Sequence, residues 1–316
     1  MKVLVLGGTG MLGSMVAKVL PDEWEVLVTA RVPAPYPYEL VNTWWRRFAV
    51  DHTAWQEDLK RLADGCDWIV NCIGATKPLM KEDAAYSVNA HFPRVVDGLG
   101  PPVLHPSTDC VFDGSGGRAP YAEQSNFDAV NEYGQSKGDG EEGPLANTIR
   151  LRASIIGPEC RFPPRHLLGN VVGGFIGAGY ADHLWNGITT LAWAKIAMGI
   201  MGGELMPACG PVSIPAERWL FHLVPASSVS KDRLVSTILQ AFRLKERVVN
   251  AVLTGWPVDM RLATSAPEVV DWLWRQGGYD GAPTVEQMVW ELAEFCRAEH
   301  WPTHDRGFEY WNTGRT

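Results

Sequence analysis

An apolar run, Val3-Leu4-Val5-Leu6, passes directly into Gly7-Gly8-Thr9-Gly10-Met11-Leu12-Gly13 and then into the helical pattern of Met11–Leu20. A short buried strand, a glycine turn and a helix N-terminus in that order constrain the fold more than any other feature of the chain. The spacing G-x-x-G-x-x-G lets backbone turn sharply and approach a pyrophosphate, while the helix N-terminus offers amide donors and the positive end of its dipole. Gly7, Thr9, Gly10, Met11, Leu12 and Gly13 are therefore the candidate phosphate cradle of a dinucleotide. A plain glycine-rich turn is the alternative, and the strand–turn–helix context argues against it.

The pattern that follows supports this. Strand-like runs recur at Glu25–Thr29, Arg47–Val50, Trp68–Cys72, Pro102–Pro106 and Thr148–Ile156, with helical periodicity over Met11–Leu20, Trp55–Ala63 and Asp83–Leu99 and again from Tyr133 to Gly143. Such alternation predicts an α/β fold, a Rossmann-type doubly wound parallel sheet. A Pro/Gly/Arg-rich loop, Gly157–Arg165, then leads to amphipathic helices at Thr190–Met201, Ser230–Leu244 and Val285–Glu299. The expected division is a dinucleotide-binding domain over 1–160, with some later segments returning to it. A smaller mixed α/β substrate lobe is expected over 161–316.

The formal charge of −8 repels polyanions, and no basic stripe points to nucleic acid. Six cysteines at 66, 72, 110, 160, 209 and 296 include no Cys-x-x-Cys pair and no zinc-type spacing, so no metal is expected and reduced thiols in a cytoplasm are the economical reading. The apolar stretch near 167–206 is broken by Asn170, Asp182, His183, Asn186, Lys195 and glycines, so no membrane span is expected.

The end of the second strand reads Thr29-Ala30-Arg31, where an acidic residue would favour the ribose hydroxyls of NAD. Arg31 instead suits a 2′-phosphate, so NADP(H) is preferred over NAD(H); a solvated surface cation is the alternative. Asp51 suits the adenine amino group or, equally, the N-cap of the following helix.

Tyr133-Gly134-Gln135-Ser136-Lys137 places Tyr and Lys four residues apart, on one helix face. Hydride delivery to a ketone builds an alkoxide that needs a proton. A tyrosine whose pKa is lowered by an adjacent ammonium can supply it, and Lys137 can also hold a cofactor ribose. A hydroxyl from Ser107-Thr108, at the end of the Pro102–Pro106 strand, can polarise the carbonyl.

These pieces resemble the extended short-chain dehydrogenase/reductases, and most closely the dTDP-4-dehydrorhamnose reductase-like group of nucleotide-sugar reductases. The matching segments are Gly7–Gly13, Asn71-Cys72-Ile73-Gly74, Tyr86–Ala90, Pro106–Gly114, Tyr133–Lys137 with Glu141, Ile149–Ser154 and His183–Thr190, in order through about 190 residues. The resemblance implies an NADPH-dependent reduction of the 4-keto group of a nucleotide-linked 6-deoxy sugar, with Thr108 as the catalytic hydroxyl, Tyr133 as acid and Lys137 as its partner. It implies further that Asn71, Cys72, Ile73 and Gly74 line the cofactor and that Asn89 supports the site. Ile155 adjoins the cofactor and stands where rhamnose-forming relatives carry Trp, which separates this chain from them in sugar specificity. Asp109-Cys110 follows Thr108 where a 4,6-dehydratase would carry Asp-Glu, so dehydration is disfavoured.

Two further resemblances carry alternatives. GDP-fucose synthase, an epimerase-reductase, places a Cys two residues after its catalytic hydroxyl and a His downstream; Cys110 and His166 match those positions, and a small buried residue and a loop contact are the plainer readings. Non-catalytic, NADP-binding regulatory subunits also belong to this group. For the substrate, Arg161 and Arg165 suit a diphosphate; Lys77, Asp109, Cys110, His166, Trp185 and Asn186 are further candidates near the sugar. A homodimer fits the superfamily's habit of pairing helices.

Overall fold

In the computed structural model the described residues are 1–31, 43–50, 54–76, 86–143, 145–160, 164–176, 178–203, 219–244 and 249–301. Asp51, Lys77 and Arg161 lie outside them.

Seven strands form one parallel sheet: β1 (Lys2–Leu6), β2 (Glu25–Ala30), β3 (Thr43–Arg47), β4 (Trp68–Asn71), β5 (Val103–Ser107), β6 (Thr148–Arg152) and β7 (Leu220–His222). Their order is β7-β6-β5-β4-β1-β2-β3. The order reverses between β1 and β4, so the crevice beyond the carboxyl ends of these two strands is where such a sheet takes a ligand. Val3 to Leu6 are fully buried because both faces of the sheet are covered, which explains an apolar run in place of a two-residue alternation.

The helices are α1 (Met11–Val19), α2 (Trp55–Ala63), α3 (Phe92–Asp97), α4 (Glu132–Glu141), α5 (Leu167–Val172), α6 (Thr190–Gly202), α7 (Lys231–Ala241), α8 (Pro267–Gln276) and α9 (Val285–Ala298). α1 packs against α6 from the second half of the chain. Side chains of α1, α6, α7, α8 and α9 share one apolar core with the sheet. Shorter strands lie outside the sheet: Ile155–Ile156 pairs in parallel with Ile188–Thr189, and Val229–Ser230 runs antiparallel to His183–Trp185.

Three boundaries differ from the sequence expectation. The third strand is Thr43–Arg47 instead of Arg47–Val50, because Trp45 points inward towards Gly8 and an edge strand needs no apolar run. The segment expected as one helix to Leu99 opens as a π turn over Ser87–His91 before α3, where Pro93 lacks the N–H that a regular ladder needs. Thr148–Ile156 breaks after Arg152, and Ile155–Ile156 leaves the sheet for its own partner.

Candidate active site

The glycine turn forms the floor of the crevice. Gly7 has φ +80°, and a Cβ at Gly13 would stand 2.4 Å from the Gly7 carbonyl oxygen, so α1 can begin this close to β1 only with glycine at both places. The Gly7 N–H donates to Thr29 Oγ1 at 3.0 Å and the Gly8 N–H to the Thr29 carbonyl at 2.8 Å, which fixes the turn to β2. Gly10 is the N-cap of α1, and no side chain caps the helix. Orphan amides at its first turn suit an anionic ligand. Met11 and Leu12 offer this turn their backbone, since the Leu12 side chain is in the core. Thr9 is buried within the turn, and Arg31 is exposed just past β2. The cradle therefore fits a dinucleotide pyrophosphate.

Cys72 and Ile73 pack over Gly7, so the end of β4 forms the opposite lip of the crevice, with Gly74 exposed beyond it. Asn71 holds this lip: its Oδ1 accepts from the Ile73 N–H at 3.2 Å and its Nδ2 lies 3.2 Å from His105 Nδ1. Asn89 does the joining. It exchanges two hydrogen bonds of 2.9 Å with the Ala75 backbone and donates to Ser136 Oγ at 3.0 Å, connecting the β4 edge to α4.

Thr108, Tyr133 and Lys137 come together at the carboxyl edge of β5. Thr108 caps the short turn Asp109–Val111, its Oγ1 accepting from the Cys110 N–H at 3.1 Å. Its side chain stands beside Tyr133 and works to lower the phenol's pKa. α4 lies against this turn because position 134 is glycine; a Cβ there would stand 2.0 Å from the Cys110 carbonyl oxygen. Asn131 caps α4 by accepting from the Gly134 N–H at 3.1 Å.

The electrostatics differ from the expectation in one respect. Burial pushes the Tyr133 phenol above its ordinary value, Cys110 and Asp109 add to the rise, and only Thr108 opposes it. Lys137 turns to the strand instead: its ammonium donates to the Pro106 carbonyl at 3.1 Å and lies 3.4 Å from His105 Nε2. Burial pulls Lys137 down to about 8, against the charge of Glu141. His105 is held well below the usual histidine range, first by burial and then by Lys137 and Arg150, so its ring is neutral.

The substrate candidates divide. Asp109 is buried, and burial raises its carboxyl despite hydrogen bonds with Ser154, Thr108 and Cys110 and the charge of Lys231. Cys110 is half-buried on the same turn. His166 pairs with Glu159, Nδ1 to Oε1 at 2.8 Å. Burial alone would raise the Glu159 carboxyl; hydrogen bonds from His166 and Arg165 together hold it lower. The His166 ring is thus engaged in its own loop, beside an exposed Arg165. Trp185 is fully buried, and Asn186 exchanges two 2.8 Å hydrogen bonds with the Leu262 backbone, which makes it a lobe fastener. Ile155 is half-buried in its two-residue strand.

Sequence reasoning missed two residues here and gave Asn71 only a lining role. His105 was hidden within a strand run. Lys231, at the start of α7, gave no signal beyond a basic residue after a serine.

Residues 1–153 match the family model described as RmlD substrate binding domain. That match takes in just under half of the chain. The parallel sheet with its flanking helices is a Rossmann-type α/β fold. The chain superposes on a dTDP-4-dehydrorhamnose reductase from Clostridium acetobutylicum with a TM-score of 0.66, over 94% of this chain and 100% of that one, at 16% identity. A dTDP-4-dehydrorhamnose reductase from Bacillus anthracis, in complex with NADP, gives a TM-score of 0.64 over 92% of this chain and 98% of that one, at 17% identity. At such identities the likeness is one of fold. Methionine adenosyltransferase 2 subunit beta of Rattus norvegicus is 30% identical over 156 residues, 47% of this chain and 44% of that protein. The chain thus spans less than half the length of the curated relatives it matches. Among the described residues no helix is long and apolar enough to cross a membrane, and no group of three or more His, Cys, Asp or Glu is placed to hold a metal.

Proposed function

We propose that this protein is an NADPH-dependent reductase of a nucleotide-linked 4-keto-6-deoxy sugar. The observation that carries the reading is the packing of α4 against the turn that follows Thr108, which sets Tyr133 beside that hydroxyl at the ligand-binding edge of the sheet, with Lys137 one helical turn further along α4. A bound NADPH supplies the hydride. The chain's own groups then handle the oxygen: Thr108 and Tyr133 donate to the carbonyl, and Tyr133 passes its proton to the developing alkoxide. A phenol pushed above its ordinary value stays protonated at neutral pH, which is the form a reductase needs. Lys137, braced by Pro106 and His105, is placed to hold the ribose. Arg31 favours the 2′-phosphate of NADPH, and Arg165 the substrate diphosphate.

The test is NADPH consumption with a panel of 4-keto nucleotide sugars. Turnover of at least one, lost in Tyr133→Phe, is the expected result.

A second reading, an NADP-binding regulatory subunit without turnover, draws on the curated relatives, which are named as the beta subunit of another enzyme. Tight NADPH binding with no turnover of any panel member favours it. The epimerase-reductase option keeps Cys110 beside Tyr133, but the acid–base partner proposed for it, His166, is engaged by Glu159.

A further inference from the structure

We infer that Lys231 is a substrate-binding residue that reaches the reaction site from the second half of the chain, donating to an oxygen substituent of the sugar ring. The inference rests on the reductase reading above and deepens it.

Lys231 opens α7 directly after the strand Val229–Ser230, and that strand pairs with His183–Trp185 in the register Val229↔Trp185. This pairing sets the ammonium over the Trp185 ring, 4.8 Å from its centroid. The same ring lies against Gly187, beside the Ser154 carbonyl, and the Ala153 N–H donates to the Ser107 carbonyl at 3.4 Å, so the ammonium stands near the end of β5. Its acidic neighbour there is Asp109, which follows Thr108 on its turn. A cation from α7 and a phenol from α4 therefore flank one short turn.

Lys231 is partly exposed, and its three N–H donors find no acceptor within hydrogen-bond distance, nor a carboxylate within 4.0 Å, among the described residues. Asp109 already accepts from the Thr108 hydroxyl at 3.2 Å and from the Cys110 thiol at 3.7 Å. A structural lysine would end on a carboxylate or a carbonyl, since an unmade bond to a largely desolvated ammonium is costly. Here the aromatic face beneath and Asp109 nearby favour the charge, while the donors remain unpaired among the described residues. A polyol ring fits this arrangement. With its keto oxygen at Thr108 and Tyr133, a hydroxyl elsewhere on the ring can accept from Lys231. Trp185 is fully buried, which fixes the ring beneath the ammonium. The contact would select sugars by a ring hydroxyl, without reference to the nucleotide.

The test compares two ligands by calorimetry in the presence of NADP: dTDP-6-deoxyglucose, which carries the ring, and dTDP, which does not. Lys231→Met should weaken dTDP-6-deoxyglucose about tenfold or more, the size expected for a charged hydrogen bond, and leave dTDP and NADPH binding unchanged. Lys231→Arg should recover part of the loss. Unchanged binding of dTDP-6-deoxyglucose by Lys231→Met overturns the inference, as does equal weakening of both nucleotides. Wild-type protein that binds NADPH but neither nucleotide overturns the sugar-nucleotide reading, and this inference with it. NADPH binding by each variant shows that it has folded.

Discussion

The Lys137 ammonium donates to the Pro106 carbonyl at 3.1 Å, on the strand that ends one residue before Thr108. One hydrogen bond thus couples α4, which carries Tyr133 and Lys137, to β5, which leads directly into Thr108. The geometry of the site depends on strand and helix remaining in this register.

Lys137 sets a pH dependence. Burial lowers it to about 8, so the ammonium is present below that value and lost as pH rises through it. Reduction that needs the ammonium should fall above about pH 8, read as kcat/KM against pH. Stability should move the other way: between about pH 8 and the ordinary lysine range the unfolded chain binds more protons, so stability rises with pH from this group.

Tyr133→Phe removes the proton donor while keeping ring volume. Turnover should fall by roughly 10²–10⁴-fold, the range for general acid catalysis, with NADPH affinity within a few fold of wild type. Steady-state kinetics and cofactor titration check the two parts.

Gly13→Ala places a methyl group 2.4 Å from the Gly7 carbonyl oxygen. The obstacle is backbone, so β1 and α1 must separate. The variant should lose about 1–3 kcal/mol of stability in a denaturant titration and bind NADPH more weakly.

Arg152 is fully buried and paired with Glu141, with its Nη1 2.7 Å from His222 Nε2 and its guanidinium 5.2 Å from the Phe112 and Phe127 ring centroids. The pair links α4 and β6 to β7. Glu141→Ala leaves a buried cation unpaired and should cost about 3–5 kcal/mol, seen as a large drop in Tm.

Much of this fold was legible in the sequence because its strongest signals are local. The glycine spacing of 7, 10 and 13, the buried run of β1 and the four-residue interval from Tyr133 to Lys137 each follow from neighbours along the chain. The third strand was misplaced because an edge strand such as Thr43–Arg47 buries little and shows no apolar run. Lys231 was not legible at all: its position over Trp185 depends on pairing between Val229–Ser230 and His183–Trp185, and no local pattern encodes that pairing. The direction of the Tyr133 shift was likewise out of reach, since it follows from burial under the assembled site and not from the spacing to Lys137.

The most direct test of the central claim follows one deuterium. NADPH deuterated at the transferable position of nicotinamide C4 is incubated with wild-type protein and the 4-keto nucleotide sugars, and the products are examined by NMR. The account predicts deuterium at C4 of the reduced sugar with wild type, and its transfer slowed by roughly 10²–10⁴-fold with Tyr133→Phe. Label retained wholly on the cofactor with every sugar, although NADPH is bound, would contradict it.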